Sequence, residues 1–368
     1  MTTPPAVRPV LPQSADVPEP EVDMRTSLAW AALPNPLATA SGCAANGREL
    51  SRFFPLSRLG AMVTKSVMLA PRSGRPTPRM AETPSGMLNS IGLQGPGVDA
   101  FVQQDLPWLK AQGARTIASI AAGSIDEYAE VAARLALAPP GTVTAVEVNI
   151  SCPNVEDRGL VFACDPDAAA AAVAAARSAT DPSIPVLAKL SPDVTDIVSI
   201  ARACVGAGAD GLTMINTVLG MVIDTTTLRP VLGGVTGGLS GPAIRPVAVR
   251  CIWQVHAALP EVPILGVGGV RTGLDALQLI LAGASAVSVG TTVFNDPGAP
   301  LRVLGELRTA LAERGFERMR DAVGYAHSAL GAGADRIAPP VPPGPSLRAP
   351  SADGAGSGYD ETAYDEGR

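Results

Sequence analysis

The residues of this chain that could do chemistry are few, and several crowd into one short stretch. In "NISCPNV", residues 149–155, Cys152 stands between Asn149 and Asn154, directly after an apolar run. A thiol can act as a proton donor or acceptor when its pKa and position suit the task. The chain has two histidines, and both fall within helical patterns that predict packing rather than catalysis. Cys152 is therefore the candidate general base.

Lysine is rare in this chain, which makes its positions informative. Three of the 28 basic residues are lysine, and two of them, Lys65 and Lys189, end apolar runs that carry no other charge. An ammonium group that faces a pocket explains these positions better than a surface ion pair, for which this chain would more naturally use arginine. We expect both lysines to meet an anionic substituent or a reduced cofactor.

Asparagine side chains accompany these residues, and each offers a hydrogen-bond donor and an acceptor. The four that we single out are Asn89, Asn149, Asn154 and Asn216. Amides that converge with a lysine suit a ring rich in C=O and N–H groups, such as a cyclic imide or a pyrimidine carboxylate. The alternative is that each amide only caps a turn. No metal is expected, because the five cysteines are spread singly, without the spacing of a zinc or iron–sulfur site.

Short apolar runs that predict strands alternate with longer helical patterns along most of the chain. The strand-like runs cover residues 37–41, 60–66, 116–121, 145–151, 186–191, 211–217, 263–268 and 286–291. The clearest helical patterns cover residues 124–137, 167–179, 194–206, 243–258 and 273–283. Eight such units predict an α/β fold, a (β/α)8 TIM barrel with a parallel sheet. The alternative is a doubly wound open sheet, but no G-x-G-x-x-G follows a strand.

A barrel of this kind gathers its chemistry at the carboxyl ends of the strands. In chain order those ends carry Ser41, Lys65, Ser119, Asn149 with Cys152, Lys189, Asn216, Gly268 with Gly269, and Gly290 with Thr291. Glycines after the seventh and eighth strands let backbone N–H groups approach an anion, so a phosphate on the cofactor is expected. Two long connections, 67–97 and 218–241, predict lids or binding loops, and "GGVTGGLSG" in the second is either a cradle or a hinge.

The two ends of the chain differ from its middle in composition. Both are acidic and rich in proline, and the second is also rich in glycine, so we predict disordered tails at 1–25 and 336–368 around a catalytic domain at 26–335. The middle has no basic stripe for nucleic acid. No apolar run reaches the roughly 20 residues that span a bilayer, and the first residues do not resemble a signal peptide. A cytoplasmic location is the simplest expectation.

Nine motifs together resemble one known family. They stand in family order from about Asn35 to Phe294 and read "TKS", "GRPTPR", "GMLNSIGLQGPG", "NISCPNV", "VLAKLSPDVTDI", "GADGLTMINT", "TGGLSGPAIRPVA", "GVGGV" and "GASAVSVGT". The chain is similar to the catalytic subunits of class 1B dihydroorotate dehydrogenases. The resemblance implies an FMN-dependent oxidation of (S)-dihydroorotate to orotate in pyrimidine biosynthesis.

The resemblance also assigns roles to residues. Cys152 would remove the proton from C5 while hydride passes from C6 to flavin N5, with Lys65 beside it in the catalytic set. The implied orotate contacts are Lys65, Asn89, Ser90, Ile91, Gly92, Leu93, Asn149, Asn154, Asn216 and Thr217. The implied flavin contacts are Ser41, Lys65, Ser66, Asn149, Lys189, Ile215, Gly241, Gly268, Gly269, Gly290 and Thr291. Lys189 would lie by the N1/O2 edge of the flavin and stabilise its anionic reduced form.

The class 1B resemblance, carried by "PTPR" and "GMLNSIGLQ", implies a partner. This would be a second subunit with FAD and a [2Fe–2S] cluster, in a heterotetramer around a homodimer, with NAD as the final acceptor. The chain itself has neither cluster cysteines nor a dinucleotide fingerprint, which fits a catalytic subunit. It departs from the family in its tails and at Ser119, where an asparagine is expected, so one flavin contact is weakened or made by a hydroxyl.

Four other functions stay open from the residues. A class 1A homodimer would reduce fumarate. The flavin half of dihydropyrimidine dehydrogenase uses a similar cysteine, but this chain reads "SCPN" where "SCPH" is expected. A phosphate-binding barrel lyase or isomerase would use Lys189 to form a Schiff base and would be colourless. A flavin-bound subunit without turnover would serve assembly alone.

Overall fold

Eight parallel strands form the centre of the molecule. The computed structural model describes residues 21–151 and 162–331. The eight strands are β1 (Leu37–Thr39), β2 (Met62–Val63), β3 (Thr116–Ile120), β4 (Ala145–Asn149), β5 (Val186–Leu190), β6 (Gly211–Met214), β7 (Ile264–Val267) and β8 (Ala286–Val289). Each lies within a run that the sequence predicts as a strand.

These strands close into a barrel. Their order in the sheet is β1-β8-β7-β6-β5-β4-β3-β2, and all neighbours pair in parallel. A parallel bridge between Ala38 and Ala61 joins the first strand to the second. Because that bridge connects the two ends of the sheet, the predicted (β/α)8 TIM barrel is confirmed.

Helices surround the barrel, as the sequence predicts. They are α1 (Val98–Ala100), α2 (Leu106–Ala111), α3 (Ile125–Leu135), α4 (Pro166–Ala179), α5 (Ile197–Gly206), α6 (Arg245–Ala258), α7 (Gly273–Leu281), α8 (Ala299–Ala312) and α9 (Tyr325–Gly331). Side chains cap several of their first turns: Ser124 accepts a hydrogen bond from the N–H of Glu127, and Thr272 forms a capping box with Asp275. A π-helical segment, Phe101–Asp105, joins α1 to α2.

Single helical turns complete the connections. Two 3-10 turns, Leu50–Arg52 and Leu56–Arg58, lie between β1 and β2, where no α-helix is formed. Four further 3-10 turns are Phe162–Cys164, Pro242–Ile244, Thr291–Phe294 and Met319–Ala322. Two of these turns, Pro242–Ile244 and Thr291–Phe294, begin at the glycines Gly241 and Gly290.

An antiparallel hairpin, Thr26–Leu28 with Ala31–Leu33, closes the amino-terminal end of the barrel. Its Leu28 and Leu33 pack against apolar residues in or next to the barrel strands. We call this set the floor cluster: Leu28, Leu33, Ala38, Ala61, Val63, Ile117, Ala145, Leu187, Leu265 and Ala286. The barrel is thus a packed core at this end rather than a pore.

The folded part begins slightly before the predicted boundary at residue 26. Met24 is buried, and the N–H of Asp23 donates to the carbonyl of Glu317 at 2.9 Å. Residues 1–20 and 332–368 lie outside the described residues, so the disorder predicted for them stays a prediction. In the part of the chain that is described, no helix is both long and apolar enough to cross a bilayer.

A second, antiparallel sheet covers the carboxyl end of the barrel. Its four strands, in spatial order, are Val218–Gly220, Gly237–Ser240, Gly86–Asn89 and Met80–Thr83. We call it the cap sheet. It is formed by the two long connections that the sequence marks as lids or binding loops. A two-stranded ribbon, Ile223–Asp224 with Arg229–Pro230, extends from the second connection.

Candidate active site

Two adjoining cavities lie between the barrel strands and the cap sheet. The outer cavity has a volume of about 270 Å3 and is lined by Ser41, Gly42, Cys43, Lys65, Ser66, Met80, Met87, Asn89, Ile91, Gly92, Leu93, Asn149, Lys189, Asn216, Thr217, Gly238, Ser240 and Phe294. The glycine cavity, about 70 Å3, is lined by Ala40, Ser41, Cys43, Lys189, Ile215, Asn216, Thr217, Ser240, Gly241, Ile244, Val267, Gly268, Gly269, Val270, Gly290, Thr291 and Thr292. The shared residues make one continuous depression.

The residues predicted from the sequence converge here with few exceptions. Every described residue predicted to contact substrate or flavin lines one of the two cavities, apart from Ser90. Ser90 is buried behind the cap sheet, and its hydroxyl has no hydrogen-bond partner among the described residues. Cys152 and Asn154 lie outside the described residues. The role of each residue therefore stays a prediction, although the convergence fits the predicted site.

Lys189 is held from two sides. It lies on β5 and is 5% exposed. Its Nζ donates a hydrogen bond to Ser41 Oγ at 2.7 Å and lies 3.9 Å from the Oε1 of Glu147. A buried ammonium group needs such partners, because its removal from water is otherwise costly. Lys189 thus presents a fixed positive charge to both cavities.

Asn149 ends β4 with its amide held in one orientation. Its Nδ2 donates to Ser66 Oγ at 3.1 Å. Its Oδ1 accepts from the N–H of Ser151 at 3.2 Å and from Asn216 Nδ2 at 3.4 Å. The hydroxyl of Tyr128 donates to its backbone carbonyl at 2.8 Å and fixes the end of the strand. Since an amide nitrogen has two hydrogens, one remains for a ligand in the outer cavity.

Ser119 lines neither cavity, which fits the weakened flavin contact rather than a contact made by its hydroxyl, the two alternatives that the sequence left open. Its Oγ donates to Glu147 Oε1 at 2.8 Å and lies 2.8 Å from Ser66 Oγ. Its backbone N–H donates to the Thr64 hydroxyl at 3.2 Å. The shorter serine thus bonds to buried groups below the cavity. Glu147 was not predicted as a site residue, although a lone charge in the apolar run "AVEVNI" was a usable signal.

The glycine cavity depends on backbone that only glycine adopts readily. The φ angles of Gly241, Gly268 and Gly269 are +94°, +140° and +72°. A Cβ on Gly268 would lie 2.7 Å from the Cβ of Ala248, and one on Gly269 would lie 2.6 Å from the Cβ of Arg245. The absence of side chains opens backbone N–H groups to a ligand, which is how many proteins bind phosphate.

The glycine cavity continues into the cap sheet. The hydroxyl of Thr291 donates to the hydroxyl of Ser240 at 2.8 Å. Ser240 ends the strand Gly237–Ser240, which is part of "GGVTGGLSG". That stretch is thus a strand and a cavity wall, which fits the cradle rather than the hinge. Backbone amides, a hydroxyl and the charge of Lys189 form a donor set that fits a phosphorylated, ring-shaped anion.

Burial makes Cys43 and Cys204 poor nucleophiles. Burial raises the pKa of the Cys43 thiol, although the positive charges of Lys189 and Lys65 act in the opposite direction. Burial also raises the pKa of Cys204 to about 12. Cys43 lines both cavities and was missed from the sequence, as were Met80 and Met87 of the cap sheet. These residues are walls of the site rather than reactive groups.

Comparisons with known proteins agree with this geometry. The family model for dihydroorotate dehydrogenase matches residues 24–311. A protein of Trichlorobacter lovleyi is 52% identical over 292 residues, which is 79% of this chain and 94% of the relative. Proteins of Geobacter sulfurreducens and Desulforudis audaxviator are each 49% identical, over 82% and 83% of this chain and 97% and 98% of their own. All three are named dihydroorotate dehydrogenase B (NAD(+)), catalytic subunit. This chain belongs to the dihydroorotate dehydrogenase family.

Proposed function

We propose that this chain is the catalytic subunit of an NAD-linked dihydroorotate dehydrogenase, which oxidises (S)-dihydroorotate to orotate with bound FMN. The observation that carries the proposal is the convergence of two donor sets in one depression at the barrel mouth. Asparagine amides and lysine side chains line the outer cavity, and glycine backbone lines the glycine cavity. The names of relatives that are about half identical over most of the chain support the same reaction.

The glycine cavity and its rim suit FMN. Gly268, Gly269, Gly290 and Thr291 would hold the phosphate through backbone N–H groups. Lys189, fixed by Ser41, would place its charge beside the isoalloxazine ring. When bound, FMN supplies the acceptor for the hydride that leaves the substrate.

The outer cavity suits dihydroorotate. Lys65 lines it and would pair with the carboxylate of the substrate. Asn89, Asn149 and Asn216 line the same cavity and would bind the ring through its C=O and N–H groups. Cys152 follows β4 closely in sequence and would accept the proton from C5. Asn149 and Lys65, which line the cavity, would fix the ring so that C5 meets this thiol.

The cap sheet would close this site to water. Asn89 Nδ2 donates to the carbonyl of Gly238 at 3.2 Å, which ties two strands of the cap sheet together at the cavity wall. Met80 and Met87 add apolar surface to the same wall. Exclusion of water strengthens the contacts of Lys65 and Lys189 with bound anions.

Support for a partner subunit and for NAD as the final acceptor comes from the names of the relatives. Their printed names specify a catalytic subunit and NAD(+). We propose that a second subunit with FAD and a [2Fe–2S] cluster carries electrons from this chain to NAD, in a heterotetramer around a homodimer. The cytoplasmic location predicted from the sequence remains a prediction.

The test is the visible spectrum of the purified chain, recorded without oxygen before and after dihydroorotate is added. We expect a flavin band that bleaches with dihydroorotate and stays with dihydrouracil, which lacks the carboxylate for Lys65. A flavin band that stays with dihydroorotate would reject the substrate. A colourless chain that takes up no added FMN would favour the lyase that uses Lys189.

A matched set of lysine variants sharpens this test. Lys65→Met should abolish bleaching by dihydroorotate while FMN stays bound. Lys110 is a suitable control, because it lies on α2 and lines neither cavity. Its Nζ donates to the exposed carbonyl of Pro140 at 3.0 Å. Lys110→Met should bleach like the unaltered chain. Reoxidation by fumarate alone, without a partner subunit, would favour the class 1A alternative.

A further inference from the structure

A chain of buried polar side chains lies directly below the outer cavity. It connects Asn149, Ser66, Ser119, Glu147 and Lys189, which come from β3, β4, β5 and the connection that follows β2. All five are at most 6% exposed. Ser119 and Glu147 line neither cavity, so the proposed reaction assigns them no contact with substrate or cofactor.

The strand register explains how these residues meet. Ser119 on β3 is the direct neighbour of Glu147 on β4, and Asn149 on β4 is the direct neighbour of Lys189 on β5. Glu147 and Asn149 are two residues apart on one strand, so both side chains point into the barrel. The register therefore stacks Glu147 one layer beneath Asn149.

The hydrogen bonds that link Asn149 to Glu147 all donate in the same direction. The carboxylate of Glu147 only accepts, so Ser119 must donate to it, at 2.8 Å. The Ser119 oxygen then accepts from Ser66, at 2.8 Å. The Ser66 oxygen in turn accepts from Nδ2 of Asn149, at 3.1 Å. Glu147 thus fixes Nδ2 of Asn149 through Ser119 and Ser66, while the N–H of Ser151 fixes the Oδ1 of the same amide.

Glu147 also supplies the counter-charge for Lys189. Its Oε1 lies 3.9 Å from the Lys189 Nζ, and the two side chains are 1% and 6% exposed. The distance is too long for a hydrogen bond and near the upper limit for an ion pair, but little water screens the two buried charges. The same carboxylate thus acts on the amide that faces the substrate and on the ammonium that faces the flavin.

We propose that Ser119 and Glu147 are positioning residues for the dehydrogenase reaction. Ser119 transmits the direction of the hydrogen-bond chain to Asn149 and so sets the affinity for the pyrimidine ring. Glu147 balances the charge of Lys189 and so sets the reduction potential of the flavin. This inference rests on the proposed function, because it requires FMN and a pyrimidine carboxylate in the cavities.

The first experiment interrupts the chain at Ser119. Ser119→Ala leaves Ser66 without its acceptor, and the dissociation constant of orotate from the FMN-loaded chain should rise about tenfold, which is about 1.4 kcal/mol. Ser119→Asn can accept from Ser66 and donate to Glu147, and should restore binding to within about threefold. Thr116→Val is the matched control, since this buried hydroxyl of β3 has no partner among the described residues.

The second experiment changes the charge but not the shape. Glu147→Gln leaves the Lys189 ammonium without its counter-charge, so the negative charge that FMN gains on reduction is favoured. The affinity for reduced over oxidised FMN should increase about tenfold, which raises the two-electron midpoint potential by about 30 mV. Ser119→Ala should shift that potential much less. A potential that stays the same or falls in Glu147→Gln would overturn the role of Glu147.

The outcomes separate this inference from the proposed function. An unaltered chain that binds no FMN overturns both. An unaltered chain that binds FMN and orotate, with Ser119→Ala indistinguishable from Thr116→Val, overturns the role of Ser119 alone. If Ser119→Ala does not fold, Glu147→Gln still tests the role of Glu147, because it keeps the side-chain volume. Ser119→Asn then tests Ser119, because it introduces the larger polar residue that the family resemblance expects at this position.

Discussion

The two ends of the barrel are built from the same eight strands but differ in role: the amino end packs the core, and the carboxyl end forms the candidate active site. At the amino end, the floor cluster is entirely apolar, and Leu28 of the hairpin is fully buried in it. At the carboxyl end, Lys189, Asn149 and Glu147 are nearly as buried, yet each has polar partners. Position along a strand, rather than the strand itself, decides between packing and chemistry.

This difference has an energetic consequence. Apolar groups of the floor stabilise the fold simply by leaving water, at roughly 25 cal/mol per Å2. Buried polar groups at the mouth gain little on balance, since their desolvation offsets their contacts. The charged residues at the carboxyl end of the barrel, which we call the mouth, therefore depend on the apolar floor cluster for the stability of the fold.

The largest effect is expected at the mouth, from Cys152→Ala. Loss of a general base reduces turnover by typically 10²–10⁴-fold, so we expect a loss of about 10³-fold with FMN still bound. Steady-state turnover with dihydroorotate measures it. Cys164→Ala is the control, because Cys164 is an exposed cysteine. Turnover that survives in Cys152→Ala would remove this residue from the mechanism.

The next effect breaks the floor. Leu28→Ala removes a fully buried side chain, and we expect the free energy of unfolding to fall by about 3 kcal/mol. Denaturant titration measures this. The dissociation constant of FMN at a temperature where the variant stays folded should not change. A large loss of FMN affinity in this variant would mean that the two ends are coupled.

A smaller effect is expected at the glycine cavity. Gly269→Ala forces an alanine into φ +72° with its Cβ 2.6 Å from that of Arg245, so FMN should bind about 30-fold more weakly, or about 2 kcal/mol. Fluorescence titration with FMN measures it. Gly305→Ala on α8 is the control, because nothing lies within 4 Å of a Cβ there. Equal FMN affinity in the two variants would contradict the phosphate assignment.

The smallest effect concerns pH and the floor side of α6. Burial, with His327 nearby, lowers the pKa of His256 below 6.5. A histidine that binds its proton less tightly when folded stabilises the fold above the unfolded pKa, and that stability is lost as pH falls through about 6.5 and below. Unfolding at pH 8 and pH 5.5 should show the loss, and His256→Asn should reduce it. If the free energy of unfolding depends on pH in His256→Asn as it does in the unaltered chain, His256 is not the source of that dependence.

The sequence predicts the barrel well because each strand is a nearly continuous apolar run that ends in a polar residue or a glycine. β2 is the weakest case: the predicted run 60–66 forms a regular ladder only at Met62–Val63. Beyond it, the N–H of Thr64 donates to the carbonyl of Ile117 at 3.1 Å, and Val67 forms an isolated bridge with Ile120. The predicted strands extend past the ladders at their carboxyl ends, where the chain turns into the connections that line the cavities.

Other features were beyond the sequence. The cap sheet pairs Gly86–Asn89 with Gly237–Ser240 across about 150 residues, and its short, glycine-rich strands lack the apolar alternation that would predict them. The cavity walls at Met80 and Met87 were missed with it. Ser119 was identified as a departure, but its partner Glu147 becomes visible only through the register of β3 with β4.

The most direct test of the separation between mouth and floor is the rate at which dihydroorotate bleaches bound flavin without oxygen, followed by stopped flow in three proteins. The unaltered chain and Leu28→Ala should bleach at the same rate while folded, and Lys65→Met should not bleach. A floor variant that slows as much as the mouth variant, or an unaltered chain that does not bleach, would contradict the account.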